Sequence, residues 1–169
     1  KRILVSATSS VAIPEFTGVG ELTVLDFTET DGLTEALTLQ MVLSEEKDKV
    51  NRLLDLLCYI NEEPALVFCN HRDAVERTSA LLKEKGLENT PFHGGMEQME
   101  REQALIQFRN GSARFLIATD LAARGLDIPE MKHVIHYHLP STEAEFTHRK
   151  GRTARWHASG PAYQLLQGE

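Results

Sequence analysis

Apolar positions recur along this chain in two rhythms, one of period two and one of period near 3.6, and the alternation between them divides the sequence into strands and helices. The run Ile3-Leu4-Val5, ending in Ser6-Ala7-Thr8, reads as a short buried strand entering a small-residue turn. Pro14, Gly18 and Gly20 mark the stretch 11–20 as a connector. Period-two alternation predicts a strand over Glu21 to Phe27 and a clearer one over Glu35 to Leu43, where Leu37, Leu39, Met41 and Leu43 share one side against Thr38 and Gln40. Ser44-Glu45-Glu46 then offers a capping residue and acids for a helix start, and Val50, Leu53, Leu54, Leu57 and Ile60 follow at helical spacing to Asn61 before Pro64 ends the element.

Ala65 to Cys69 is an unbroken apolar run, the signature of a parallel strand buried on both faces. Asp73 to Lys85 returns to helical period through Ala74, Val75, Ala80, Leu81 and Leu82, with Gly86 as its stop. A strand at Thr90 to His93, a Gly94-Gly95 turn and a helix from Met96 to Arg109, with Ala104, Leu105 and Phe108 inward, come next. Arg114 to Ala118, His133 to His138 and Pro161 to Leu166 read as strands, and Thr142 to Lys150 as a helix. Strands alternating with helices at this spacing predict a doubly wound α/β domain, its sheet mostly parallel with helices on both faces. Ligands of such sheets gather beyond the carboxyl ends of the strands. That rule brings Asn70-His71-Arg72, His93-Gly94-Gly95 and Thr119 to Asp127 to one edge.

Length and charge narrow this picture. At 169 residues the chain suits one domain. It contains no apolar run near the roughly 18 residues of a membrane span and no signal-peptide pattern, so no membrane partner is expected. The net charge of −7 argues against a uniform coating of nucleic acid and leaves room for a local basic groove. Cys58 and Cys69 lie in apolar sequence without a C-x-x-C partner, which reads as reduced core thiols in a cytosolic protein; a cytoplasmic location is the expectation.

Two stretches carry candidate chemistry. His148-Arg149-Lys150-Gly151-Arg152-Thr153-Ala154-Arg155 concentrates positive charge in an acidic chain. Arg149, Arg152 and Arg155 at threefold spacing suit bidentate phosphate recognition, although a solvated basic face paired with Glu143 and Glu145 has the same composition. Thr119 to Pro129 follows a strand directly, a phosphate-facing position in which Asp127 can accept from ribose hydroxyls and Arg124 can hold that carboxylate or a phosphate. An ordinary loop with a structural Arg124–Asp127 pair is the plainer reading. His133, His136 and His138 lack a thiol or carboxylate at ligand spacing, so they read as surface or strand-end histidines and no metal is expected. Trp156 reads as packing near Tyr163 or stacking on a base.

Thr119 to Pro129 together with His148 to Arg155 resembles motifs V and VI of the DEAD-box RNA helicases, in order and separation. Ser6-Ala7-Thr8 resembles motif III, Leu66 to Arg72 motif IV, and Gln98-Met99-Glu100-Arg101 the Q-x-x-R element, so the likeness covers nearly the whole chain. It implies the second RecA-like domain of a two-domain core, residues 21–169, preceded over 1–20 by the tail of the first domain and a linker. It also implies roles. Arg152 and Arg155 would act as arginine fingers on ATP bound by the first domain, with His148 linking the ATP and RNA sites. Asp127 and Gly125 would meet the ATP ribose, and Asn70, Arg72, Gly94, Gln98, Arg101, Thr119 and Arg124 the RNA backbone. Mg²⁺ would belong to the N-terminal domain.

Lys150 and Ala154 depart from the family pattern, which usually has an apolar residue and a glycine there. The sequence contains neither a G-x-x-x-x-G-K-[ST] loop nor Asp-Glu-Ala-Asp, so the isolated chain is expected to be inactive. The orphan strand 3–5 is a candidate for self-association. A superfamily 2 DNA helicase or translocase, or an ATP-gated RNA clamp with little unwinding, remain the other readings.

Overall fold

Ala65–Cys69 (β2) is buried at all five positions, and the alternation of its side chains builds two separate cores. Ala65, Val67 and Cys69 point to one face of the sheet, where they meet Leu53, Leu56 and Leu57 of Val50–Tyr59 (α1) and Val75 and Leu82 of Arg72–Glu84 (α2). Leu66 and Phe68 point to the other, against Ala104 and Phe108 of Gln98–Arg109 (α3) and Ala122 and Ala123 of Asp120–Ala123 (α4). A strand packed on both faces has no solvent side to carry polar residues, which is why this run reads as continuously apolar.

The computed structural model describes residues 39–45, 49–61, 63–123, 131–140, 149 and 161–167. The chain divides into two units, Lys1–Ala36 and Leu37–Glu169, and the described residues belong to the second. The expected strands at 3–5 and 21–27, the boundary near residue 20, the helix over 142–150 apart from Arg149, and Trp156 lie outside the described residues.

Four further strands, Leu39–Ser44 (β1), Asn89–Phe92 (β3), Phe115–Thr119 (β4) and His133–His136 (β5), join β2 and Ala162–Gln167 (β6) in a sheet of order β1-β6-β5-β2-β4-β3, and every pair is parallel. Right-handed crossovers explain the distribution of helices. The chain steps one way across the sheet through α1 and α2, then back through α3 and α4, so the two pairs cover opposite faces. Adjacent strands β2 and β4 therefore send their following helices to opposite sides, which opens a crevice beyond their carboxyl ends.

Local signals end the helices where expected. Gly86, at φ 82°, follows α2, and Leu87 N–H donates to Leu82 O while Gly86 N–H donates to Lys83 O, the paired bonds of a glycine-terminated helix. Pro91 is tolerated in β3 because that strand pairs on one side only among the described strands.

Several expectations are corrected. Ser44 does not cap α1; it is the buried last residue of β1, and the helix begins behind Lys49, whose Nζ donates to Tyr137 O (2.6 Å) and Leu165 O (3.2 Å) instead. The shared apolar side of β1 faces outward, with Met41 71% exposed, while Val42 packs against the α1–α2 core and Ser44 is buried. A period of two identifies two sides without saying which one the neighbouring helix covers. Cys58 is exposed on α1, whereas Cys69 is buried and desolvation pushes its thiol up to about 12. His133 and His136 are the two end residues of β5, as one of the two readings had it, but both are buried rather than superficial, and at the amino end of the sheet Glu63 holds both Lys132 (2.6 Å) and His133 (2.9 Å).

Candidate nucleic-acid interface

The loops that leave β2, β3 and β4 carry the candidate residues, and each is held by a different device. After β3, His93 is buried and its ring bridges two elements. Its Nδ1 accepts from Gly95 N–H (3.1 Å), which leaves the ring proton on Nε2, 2.5 Å from Glu76 Oε1 on α2. The Gly94–Gly95 turn is thereby locked to the sheet. A Cβ on Gly95 would stand 3.3 Å from the imidazole and 3.7 Å from Cδ of Arg72, so glycine lets the β2 and β3 loops approach. Gly94 opens onto free space and is exposed.

Behind this turn, Glu97 N–H donates to Glu100 Oε2 and starts α3. Gln98 is exposed and donates to Glu102 (2.8 Å), and one turn along, the half-buried Arg101 guanidinium lies 5.0 Å from the centre of the Phe92 ring. Arg72 is exposed beside Asp73 (3.3 Å). Thr119 ends β4, half-buried. The structure thus gathers Arg72, Gly94, Gln98, Arg101 and Thr119 beyond the strand tips of one sheet edge. Arg124, Gly125, Asp127, His148, Arg152 and Arg155 lie outside the described residues.

Asn70, half-buried after β2, is held by two other segments of the protein. Its Nδ2 donates to Leu139 O and its Oδ1 accepts from Arg149, both at 2.9 Å, so the amide is oriented by the protein with one N–H and one lone pair to spare. Arg149 departs furthest from its sequence reading. It is 1% exposed, with Nε and a terminal nitrogen on the two Asp120 oxygens at 2.6 and 2.5 Å, and it is not a phosphate-facing guanidinium. Sequence reasoning passed over Asp120 and Glu76, because partners 29 and 17 residues away leave no periodic trace.

The histidines beside this network stay uncharged. Burial, with the Arg149 charge next to it, holds His136 down to about 4, and burial with Lys49, His71 and Arg149 does the same to His138. A histidine whose folded pKa is depressed refuses the proton that the unfolded chain accepts. Stability is therefore predicted to fall as pH drops from about 6.5 towards about 4, with a slope from His136 of at most about 1.4 kcal/mol per pH unit. Urea midpoints at pH 7 and pH 5 check this, and His136→Asn should show a smaller drop between them.

Residues 48–157 match the helicase conserved C-terminal domain. Over 133 residues the chain is 39% identical to DEAD-box ATP-dependent RNA helicase 21 of Oryza sativa subsp. japonica, covering 79% of this chain and 18% of that protein. Among solved structures, Escherichia coli DEAD-box protein SrmB bound to regulator of ribonuclease activity A superposes with a TM-score of 0.70 at 31% identity, covering 79% of this chain and 78% of that one. Saccharomyces cerevisiae Dbp5 bound to RNA and ADP BeF3 gives a TM-score of 0.68 at 28% identity, covering 79% and 36%. The chain spans less than a third of the length of the curated relatives it matches, 18%, 32% and 16% in turn. A match over most of the sequence, with a six-stranded parallel sheet that superposes on solved DEAD-box proteins, means that the chain belongs to the helicase conserved C-terminal domain family, as the RecA-like C-terminal domain of a DEAD-box protein.

Proposed function

We propose that this chain is the second core domain of an ATP-dependent RNA helicase, supplying part of an RNA backbone-binding surface and completing an ATP site held by a preceding domain. The observation that carries the reading is the gathering of Arg72, the Gly94–Gly95 turn, Arg101 and Thr119 beyond the tips of β2, β3 and β4. Guanidiniums, a hydroxyl and a glycine turn suit sugar and phosphate contacts, which position a strand without reading its sequence. The similarity to Dbp5, solved with RNA and ADP BeF3, supports the same use of this edge.

In this reading Arg124 joins the RNA contacts, and Asp127 and Gly125 hold the ribose of ATP. Arg152 and Arg155 stabilise charge on the transferring phosphoryl group, and His148 links the two sites. Mg²⁺ belongs to the N-terminal domain, and the isolated chain hydrolyses no ATP because it lacks a phosphate-binding loop. Strand separation follows when ATP closes both domains over a bent single strand.

A duplex-unwinding assay on the full-length protein tests this. ATP-dependent opening of an RNA duplex is expected, with little opening without ATP. Preferential opening of a DNA duplex would overturn the RNA assignment in favour of a DNA translocase, and ATP-dependent RNA retention without strand separation would make the protein a clamp.

A further inference from the structure

The stretch His93-Gly94-Gly95-Met96 closes on itself after β3, with Met96 N–H donating to His93 O (3.3 Å). Two glycines at the centre of such a turn leave the peptide between them able to face either way, because glycine accepts every turn type without strain. The structure shows one orientation. Neither glycine has the positive φ that the flipped turns demand, and Gly95 N–H donates inward to His93 Nδ1 (3.1 Å), the bond that an asparagine or aspartate side chain makes to the backbone two residues on. The peptide is trans, so the carbonyl of Gly94 points the opposite way, away from the imidazole. Gly94 is exposed, with open space where a side chain would stand.

This orientation depends on where His93 carries its ring proton. A neutral imidazole has one donor nitrogen and one acceptor, and Nδ1 can accept from Gly95 only while the proton is on Nε2. The acceptor that holds it there is Glu76 of α2, whose Oε1 lies 2.5 Å from Nε2. With Glu76 gone, a proton on Nδ1 would confront Gly95 N–H donor to donor, which favours the flipped peptide. Arg72 stands one helical turn before Glu76, and its Cδ lies 3.7 Å from the position of a Gly95 Cβ, so the start of α2 bounds the turn at two points.

We propose that Glu76 is a positioning residue that, by fixing the His93 tautomer, holds the Gly94 carbonyl towards the RNA surface as an acceptor for a ribose 2′-hydroxyl, and so contributes to a preference for RNA over DNA. The proposal rests on the RNA surface argued above, to which the Gly94–Gly95 turn belongs. A carbonyl accepts from a hydroxyl and repels a phosphate, and the 2′-hydroxyl is the group that DNA lacks. Glu76 itself touches no nucleotide in this scheme.

The test measures Kd of the full-length protein for a single-stranded RNA and for the 2′-deoxy strand of the same sequence. Wild type, Glu76→Ala, His93→Asn and the double variant are compared, with urea midpoints alongside. Removing Glu76 also removes a negative charge, but that change acts on both strands and cancels in the ratio of the two Kd values. In His93→Asn the amide oxygen stands near the place of Nδ1 and has no tautomer to set, so the turn no longer needs Glu76. The preference for RNA is expected to fall about threefold to tenfold in Glu76→Ala, the scale of one hydrogen bond. It should stay within about twofold of wild type in His93→Asn and fall no further in the double variant. An unchanged preference in Glu76→Ala, a comparable fall in His93→Asn, or a further fall when Glu76→Ala is added to it, overturns the proposal. Should the His93→Asn variants fail to fold, nitrogen NMR of histidine-labelled Glu76→Ala decides: the ring proton of His93 is expected to move from Nε2 towards Nδ1, and an unchanged tautomer overturns the proposal. Equal binding of both strands by the wild type would instead overturn the RNA assignment itself.

Discussion

Asp120→Ala is expected to lower the unfolding free energy by about 3–5 kcal/mol, because it removes a carboxylate that a buried guanidinium bonds twice. Arg149 is 1% exposed and spends two of its nitrogens on the Asp120 carboxylate, so truncation strips both charge-assisted bonds at once. Asn70 Oδ1 and His138 O, which also accept from Arg149, are neutral and do not replace a carboxylate. Urea unfolding measures the loss, which should appear as a lower midpoint at unchanged slope. Asp73→Ala is the internal comparison: its partner Arg72 lies on the surface and the Asp73 side chain is 91% exposed, so a change within about 0.5 kcal/mol is expected. Equal effects for the two aspartates would mean that Arg149 is not desolvated.

Arg152→Ala in the full-length protein is expected to reduce RNA-stimulated ATP hydrolysis by about 10³-fold or more, the scale on which an arginine finger acts in phosphoryl transfer. Arg152 lies in a basic cluster of an otherwise acidic chain, and the role proposed for that cluster is on a nucleotide held by another domain. Phosphate release under saturating RNA is the measurement, with RNA affinity as the control, since a residue acting on the nucleotide should leave RNA Kd nearly unchanged. Arg152→Lys should rescue little, because an ammonium lacks the planar fork that grips two oxygens of a phosphoryl group. Wild-type turnover in Arg152→Ala would remove the finger from the proposed mechanism.

These two substitutions lie 32 residues apart and test different claims, Asp120→Ala the desolvation of Arg149 and Arg152→Ala the proposed contact with the nucleotide. The first should be visible as stability, the second as kcat.

Much of the fold was legible because it rests on periodicity. The continuous apolar run at Ala65–Cys69 could only be a strand covered on both faces, and it is the strand that separates the two cores. Gly86 stops α2 through its backbone freedom, a purely local property. The clusters after β2, β3 and β4 were traceable to one edge by a topological rule that needs only the order of strands and helices. Arg101 was singled out only by the likeness of Gln98-Met99-Glu100-Arg101 to the Q-x-x-R element, while the Glu97–Glu100 bond that starts α3 was not read from the sequence.

What sequence left open concerns choices that a repeat cannot encode. Leu39, Met41 and Leu43 share a side of β1, yet the helix packing selected the side carrying Val42 and Ser44. Cys58 and Cys69 sit in similarly apolar sequence, but one lies on the outer face of α1 and the other at the centre of the sheet. His93 and Glu76 meet only because α2 packs beside the end of β3. Arg149 illustrates the division most sharply. Sequence alone determined that this chain is a parallel α/β domain with a cationic segment ahead of its last strand, because spacing and charge are local properties. Only the tertiary structure decided that one arginine of that segment turns inward, because the crevice that receives it exists only once β2, β4 and β5 lie side by side.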